Sequence, residues 1–399
     1  MSLRYKTNRF WHMMLGLFML IGILSVENVK AQDSGNTVTS SKIISSAVPF
    51  LTISPDTRAG GMGDLGAATS PDVNSQHWNP SKYAFIDGTS AVGVSYIPWL
   101  RNLADDMSIM YLSGYYRLDD KQVLSSSLRY FKYGNITLTD EQGNPLGSQN
   151  PNEFSFDIGY SRKLTENWSG GVVARYIDSR VNNGVEGAEP GTAFAADIAF
   201  FYTNTWSRHR LDRTFTAGVN FSNIGSKISF DGGTHESFLP ANMRLGLGYS
   251  MELDKYNKIV ISADISKLMV PTPNQTSTTG EDGTVNVSIN TGVDQSVIGS
   301  IFSSFGDAPG GFSEELQECQ LSCGVEYWYA NQFALRTGYF YENENKGNRK
   351  YVTAGAGVKL TSFILDFAYM IPTQQNHPLA NTLRFSITFD IGSMLNSGR

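Results

Sequence analysis

From Thr89 to the C-terminus the chain repeats one pattern, in which segments of about ten residues alternate apolar and polar side chains between clusters of turn-forming residues. A period of two puts successive side chains on opposite faces of a strand. Candidate strands fall near 89–97, 106–118, 122–133, 153–163, 168–180, 192–203, 213–223, 242–253, 258–268, 318–329, 332–342, 350–361, 362–370 and 381–391. Beyond the N-terminal region no apolar run reaches the about 20 residues that a membrane helix needs.

The connections alternate too. Asp119–Lys121, Thr165–Asn167, Asp254–Asn257 and Thr361–Ser362 are tight, whereas 134–152, 181–191, 224–241, 269–317 and 371–380 are longer; 204–213 is a moderate exception. Short turns at one end and long loops at the other are the signature of a transmembrane antiparallel β-barrel. Charge placement tests this, because a Lys or Arg facing lipid at the midplane costs about 2–4 kcal/mol. With Phe154, Phe156, Ile158 and Tyr160 outward, Asp157 points inward. Leu383, Phe385, Ile387 and Phe389 likewise leave Arg384 inside, and Met243, Leu245, Leu247 and Tyr249 leave Arg244 inside.

The same parity lines the lumen with Arg129, Arg175, Asp197, Asp264, Glu326, Arg336 and Asp366. Neighbouring strands suggest pairs of Asp157 with Arg129 or Arg175, Glu326 with Arg336, and Asp366 with Arg384. A polar conduit and a satisfied, rigid electrostatic lining both account for such residues. A soluble sandwich also alternates, but its outer faces usually carry many Lys and Glu, whereas here the polar faces are dominated by Ser, Gly and Thr.

The N-terminal region reads as an export signal. Arg4, Lys6 and Arg9 precede the apolar run Met13–Leu24, and Val29-Lys30-Ala31 offers a cleavage point, so residues 1–31 are expected to be removed. Removal takes four of 31 basic and one of 37 acidic residues, leaving 27 and 36 and a formal charge of −9. Nucleic acid, which demands a basic surface, is not an expected partner.

Residues 32–88 have no sustained period and are rich in Gly, Ser, Asp and Asn. Fourteen strands enclose more room than side chains alone can fill, so this segment is expected to plug the lumen, leaving 89–399 as the barrel. Its informative pieces are Arg58, Gly60 and Gly63 within Arg58–Gly66, and Trp78-Asn79-Pro80. Gly61, Gly63 and Gly66 match a dinucleotide-binding glycine spacing, but no βαβ unit surrounds them.

The long loop 269–317 ends in a definite sequence. Within Asp294–Phe305, Val297, Ile298, Ile301, Phe302 and Phe305 recur at helical spacing and predict a short helix with one apolar face. Ala308-Pro309-Gly310-Gly311-Phe312-Ser313-Glu314-Glu315-Leu316 follows. Val297, Ile301, Phe302 and Phe305 are expected to form a docking surface for a partner, with Gly310-Gly311 as a bend, Glu314 and Glu315 as a polar collar, and Phe312 and Leu316 beside them. A lid folded over the barrel mouth is the plainer reading of the same helix.

No enzymatic constellation emerges, and no cofactor or metal is expected. His77, His209, His235 and His377 lack ligand spacing. Cys319 and Cys323 lie on a strand-like stretch, roughly 13 Å apart at about 3.3 Å per residue, which is too far for a disulfide.

The Arg58–Gly66 glycines, Trp78-Asn79-Pro80 and the strand count resemble the FadL-type outer-membrane barrels. More specifically, Asp307–Leu316, Ala334-Leu335-Arg336-Thr337-Gly338-Tyr339-Phe340 and Lys346-Gly347-Asn348-Arg349 resemble the PorV (LptO) family of the type IX secretion system of Bacteroidetes. That resemblance implies a fourteen-strand barrel with an N-terminal plug in the outer membrane. It also implies a non-enzymatic role: binding the C-terminal signal domain of cargo leaving the SprA/Sov translocon and delivering it to the attachment complex that contains the sortase-like PorU. The alternatives that it leaves open are a channel for hydrophobic small molecules and participation in lipopolysaccharide O-deacylation.

Overall fold

The computed structural model describes residues 43–101, 106–140, 142–181, 189–279, 285–290, 292–374, 378–380 and 382–397. The expected signal and its cleavage point lie outside them, as do residues 32–42 and His377. Fourteen strands form one closed barrel. They are β1 Ser90–Pro98, β2 Ser108–Arg117, β3 Gln122–Lys132, β4 Asn152–Lys163, β5 Trp168–Arg180, β6 Gly191–Arg208, β7 Leu211–Gly225, β8 Asn242–Glu252, β9 Asn257–Leu268, β10 Gln320–Tyr329, β11 Phe333–Tyr341, β12 Lys350–Lys359, β13 Phe363–Pro372 and β14 Leu383–Asp390.

Each strand runs antiparallel to its sequence neighbour. β14 closes onto β1 with Ala91 opposite Asp390 and Tyr96 opposite Phe385. Closure satisfies every strand edge, which an all-β wall in lipid requires. The alternation sorts side chains as charge parity demands: on β1, Val92, Val94 and Tyr96 are exposed while Ser95 and Ile97 are buried. Phe156 and Ile158 face out around Asp157, and Leu245 and Leu247 face out beyond Arg244.

Six tight turns lie at the end where β1 starts and β14 finishes, and seven longer connections lie at the other. The stretch 204–213, expected as a moderate connection, is instead two strands joined by His209 and Arg210 alone. Beyond Tyr202 both faces of β6 lose their burial, so the period-two signal fades although the strand continues. The long connections hold three further hairpins that the sequence did not announce: Ile136–Thr139 with Pro145–Gln149, Ile228–Ser229 with Glu236–Ser237, and Asn274–Thr279 with Val285–Asn290.

Inside the wall runs the N-terminal segment, with short helices α1 Thr57–Gly60 and α2 Ser75–Trp78 and 3-10 turns Pro49–Thr52 and Pro80–Phe85. Near the long-loop end Val48, Phe50 and Leu51 pack on Ile97, Ile109, Phe131 and Ile177. Near the tight-turn end Val73, Tyr83 and Ile86 pack on Ala91, Tyr115 and Val123. The apolar core of this protein therefore lies within its barrel. In the 269–319 connection stand α3 Val297–Ser303 and α4 Phe312–Gln317; α5 Ile391–Ser397 follows β14.

Candidate functional site

Two groups of buried charge organise the molecule. The first joins the N-terminal segment to the inner wall. Arg58 donates from Nε to Glu326 Oε1 at 3.0 Å and from Nη2 to Glu326 Oε2 at 2.8 Å, and from Nη1 to Asp72 at 2.8 Å. Glu326 also accepts from Arg336 Nε at 2.7 Å, whose Nη1 reaches Asp366 at 2.5 Å. Asp366 thus pairs with Arg336 and not with Arg384, as the sequence had suggested. Arg384 instead donates to Asp64 at 2.6 Å, and Tyr351 donates to the other oxygen of Asp64 at 2.6 Å.

Elsewhere on the wall Arg175 bridges Asp157 at 2.8 Å and Asp197 at 3.0 Å. Arg129 does not pair with Asp157; its Nη1 donates to the carbonyls of Phe50 and Leu51 at 3.1 and 2.9 Å, and Nη2 meets His77 Nδ1 at 2.7 Å. Arg244 stacks over Trp78, 4.8 Å from the ring centre. Asp157 with Arg175 was expected from strand adjacency, whereas the partners of Arg129 and Arg244 escaped the sequence reading because they come from a segment far away in the chain.

The N-terminal motifs are held by the same economy of contacts. Trp78 Nε1 donates to Asp56 at 2.6 Å, and Asp56 caps α1 by accepting from Ala59 N at 2.9 Å. Asn79 donates to the Ala67 carbonyl at 3.0 Å and its oxygen accepts from Ser81 N, while the Pro80 carbonyl accepts from Ser161 at 2.7 Å. Gly60 lies against Arg384, where a Cβ would come 2.7 Å from Cδ. Gly63 has φ +78° and its Cβ would lie 2.8 Å from the Tyr339 backbone, a position only glycine fills without strain.

The second charge group lies under the long loop. Lys267, at the end of β9, donates to Glu315 at 2.9 Å and to Glu318. Lys346, between β11 and β12, donates to Glu314 at 2.8 Å and Glu318 at 2.9 Å. Thr272 donates to Glu318 at 2.7 Å, and Ala308 N and Gly310 N donate to Glu315 and Glu314 at 2.9 and 2.8 Å. Beside them Arg349 grips Glu342 through two hydrogen bonds of 2.8 Å, and pairing with that carboxylate outweighs burial to raise the guanidinium above its ordinary range. Burial raises the Asp307 carboxyl above the usual carboxylate range, against the pull of the Thr272 N–H.

This geometry corrects the expected collar. Glu314 and Glu315 are 3% and 7% exposed and are spent on holding α4 down, because carboxylates at successive positions of a one-and-a-half-turn helix face the two lysines of the rim. The opposite face of α4 is bare: Phe312 and Leu316, four residues apart, are exposed. On α3 the exposed row is Ile298, Phe302 and Phe305, whereas Val297 and Ile301 are half-buried. Ile298 therefore belongs to the surface in place of those two. Ser296 starts α3 by accepting from Gly299 N at 3.1 Å, and Gly311 makes the bend before α4 with φ +68°.

A cavity of about 340 Å³ opens at the long-loop end, lined by Val48, Pro49, Tyr133, Ile136, Pro151, Glu153, Val181 and Phe230. Glu153 in its wall accepts from Tyr133 at 2.6 Å and Ser179 at 2.7 Å. Cys319 and Cys323 are free thiols. Among the described residues no cluster of His, Cys, Asp and Glu is arranged to hold a metal ion.

Comparison with solved structures finds other barrels. The chain is similar to the Pseudomonas putida toluene transporter TodX (11% identity, TM-score 0.46, 83% of this chain and 96% of that one). It is similar to the Ralstonia pickettii toluene transporter TbuX (10%, 0.41, 84% and 96%), and to a Pseudomonas aeruginosa FadL homologue (10%, 0.41, 88% and 100%). No curated protein matches the sequence. Residues 36–275, more than half of the chain, match the family model of type IX secretion system protein PorV. This fourteen-strand outer-membrane barrel belongs to the PorV family and is a component of the type IX secretion system.

Proposed function

We propose that the chain captures the C-terminal signal domain of cargo as it leaves the SprA/Sov translocon and hands it to the PorU-containing attachment complex, without itself catalysing a reaction. The observation that carries this reading is the bare row Ile298, Phe302 and Phe305, with Phe312 and Leu316, on a loop pinned to the rim by buried ion pairs. Exposed apolar residues of this size on an anchored element are the features of a docking site. Each contributes about 1.5–3 kcal/mol when fully buried by a partner. The segment 32–88 then acts as a fixed plug, so cargo passes over the barrel and not through it. Cleavage near Ala31 would supply the mature protein.

A second reading, uptake of hydrophobic small molecules, draws on the apolar cavity at the long-loop end. The packed segment beneath it, from Val48 to Leu51, favours the first. The test is a mild-detergent pull-down of the tagged protein from its native outer membrane, with mass spectrometry of what is retained. Recovery of translocon or of exported proteins sharing a C-terminal domain supports the shuttle, and loss of that recovery in a Phe302→Ser, Phe305→Ser double variant with an intact barrel assigns it to the loop. Recovery of lipid or apolar ligands alone would sink the shuttle reading.

A further inference from the structure

The hairpin joining β6 to β7 differs in charge from the other tight turns. Asp119 with Asp120, Glu166 and Asp254 mark three of those, whereas this one carries Arg208, His209, Arg210 and Arg213. His209 and Arg210 sit at φ +56° and +63°, positions that two-residue turns normally give to Asn or Gly. The chain thus keeps an imidazole and a guanidinium where the backbone favours neither, and such an outlier points to a use.

The hairpin also outreaches its neighbour. Pairing of β5 with β6 ends at Trp168 opposite Tyr202, but β6 continues to Arg208, paired there only with β7. Residues 204–210 are exposed throughout. Outward parity on β6, set by Phe194, Ile198 and Phe200, carries on to Trp206 and Arg208, and Trp206 stands opposite Arg213. Rings gather on this same lipid-facing side: Trp168 and Tyr202 at 5.0 Å, Tyr202 and Phe215 at 6.3 Å, Trp206 and Tyr249 at 6.2 Å.

Aromatic rings so placed mark the boundary between lipid tails and headgroups. The arginines stand at and just past that boundary. Among the described residues none of the three is ion-paired. The nearby carboxylates are already engaged, since Asp212 accepts from Ser207 and Glu252 accepts from Asp212 N at 2.9 Å.

We propose that Arg208, Arg210 and Arg213, with Trp206 beneath them, form a site for the phosphate headgroup of an anionic phospholipid in the periplasmic leaflet. Tight turns of outer-membrane barrels face the periplasm, and guanidinium groups hold phosphate oxygens through paired N–H donors. The indole would lie against the glycerol region while the arginines reach the phosphate.

The test is native mass spectrometry of the full chain in detergent, titrated with phosphatidylglycerol or with phosphatidylcholine of the same acyl chains. The expected result is preferential retention of phosphatidylglycerol, lowered about tenfold in an R208Q/R210Q/R213Q variant and unchanged in K121Q, which alters a different turn. Heat-shifted gel mobility verifies that each barrel is closed; if the triple variant does not close, R208Q/R210Q, confined to exposed positions, gives the same readout. Equal retention of the two lipids, unchanged phosphatidylglycerol binding in the variant, or retention of an acidic periplasmic protein in place of lipid would each overturn the proposal.

Discussion

The lumen and the long loop use the same device to different ends. In the lumen, Glu326 is shared by Arg58 and Arg336, and Asp64 by Arg384 and Tyr351, so every partner is enclosed on all sides. At the rim, Glu314, Glu315 and Glu318 meet Lys267 and Lys346 on one face of α4, while the other face is left to solvent. Buried ion pairs add little net stability, but they penalise any arrangement that separates them. Enclosed charge therefore fixes the N-terminal segment against the wall. One-sided charge fixes a platform and leaves its apolar face available.

The sharpest way to break this contrast is Glu326→Gln, which leaves Arg58 and Arg336 without their shared carboxylate. Uncompensated buried charge costs about 3–5 kcal/mol, so the urea midpoint of the detergent-solubilised barrel should fall markedly, with protease cleavage appearing in residues 43–88. An unchanged midpoint would mean that the segment is held by packing alone. Next comes Gly63→Ala, which forces a Cβ at φ +78° against the Tyr339 backbone. A cost of about 1–3 kcal/mol is expected in the same unfolding assay.

At the rim, Lys346→Met should act locally. It leaves Glu314 and Glu318 short of a cation, so the 292–319 stretch should be cut faster by protease while the barrel midpoint moves far less than for Glu326→Gln. Equal shifts in both assays would show the two charge groups to be one cooperative unit. The smallest stability effect belongs to Phe312→Ser with Leu316→Ser, exposed positions where about 0.5 kcal/mol or less is expected. If cargo recovery nonetheless falls, the bare face of α4 joins α3 in the docking surface; a large loss of stability instead would mean that this face is already covered within the molecule.

Much of this architecture was legible in the sequence. Lipid outside and a polar interior impose a period of two, and a misplaced arginine is costly enough that parity alone put Asp157, Arg244, Glu326 and Arg384 inside. The same logic explains where reading stopped. Beyond Tyr202 neither face is buried within the barrel, and the alternation that betrays a strand vanishes while the hydrogen-bonded hairpin goes on. The helix around Val297–Ser303 was visible from its apolar spacing, but spacing cannot tell which side of a short helix turns toward the rim. Ile298 thus took the place of Val297 and Ile301 at the surface.

By itself, then, the sequence determined the strands, their inward and outward faces and the closed all-β wall, because those follow from local periodicity and the cost of charge in lipid. Strand adjacency also reached Glu326 with Arg336 and Asp157 with Arg175; tertiary structure alone decided the partners that are distant in the chain. Glu314 and Glu315 read as a collar until Lys267 and Lys346 came in from β9 and from the connection after β11. Asp366 read as the partner of Arg384, but Asp64, some three hundred residues away in the chain, claims that arginine and Asp366 pairs with Arg336. Ion pairing depends on distances in space that close only when the barrel does, and no local pattern encodes them.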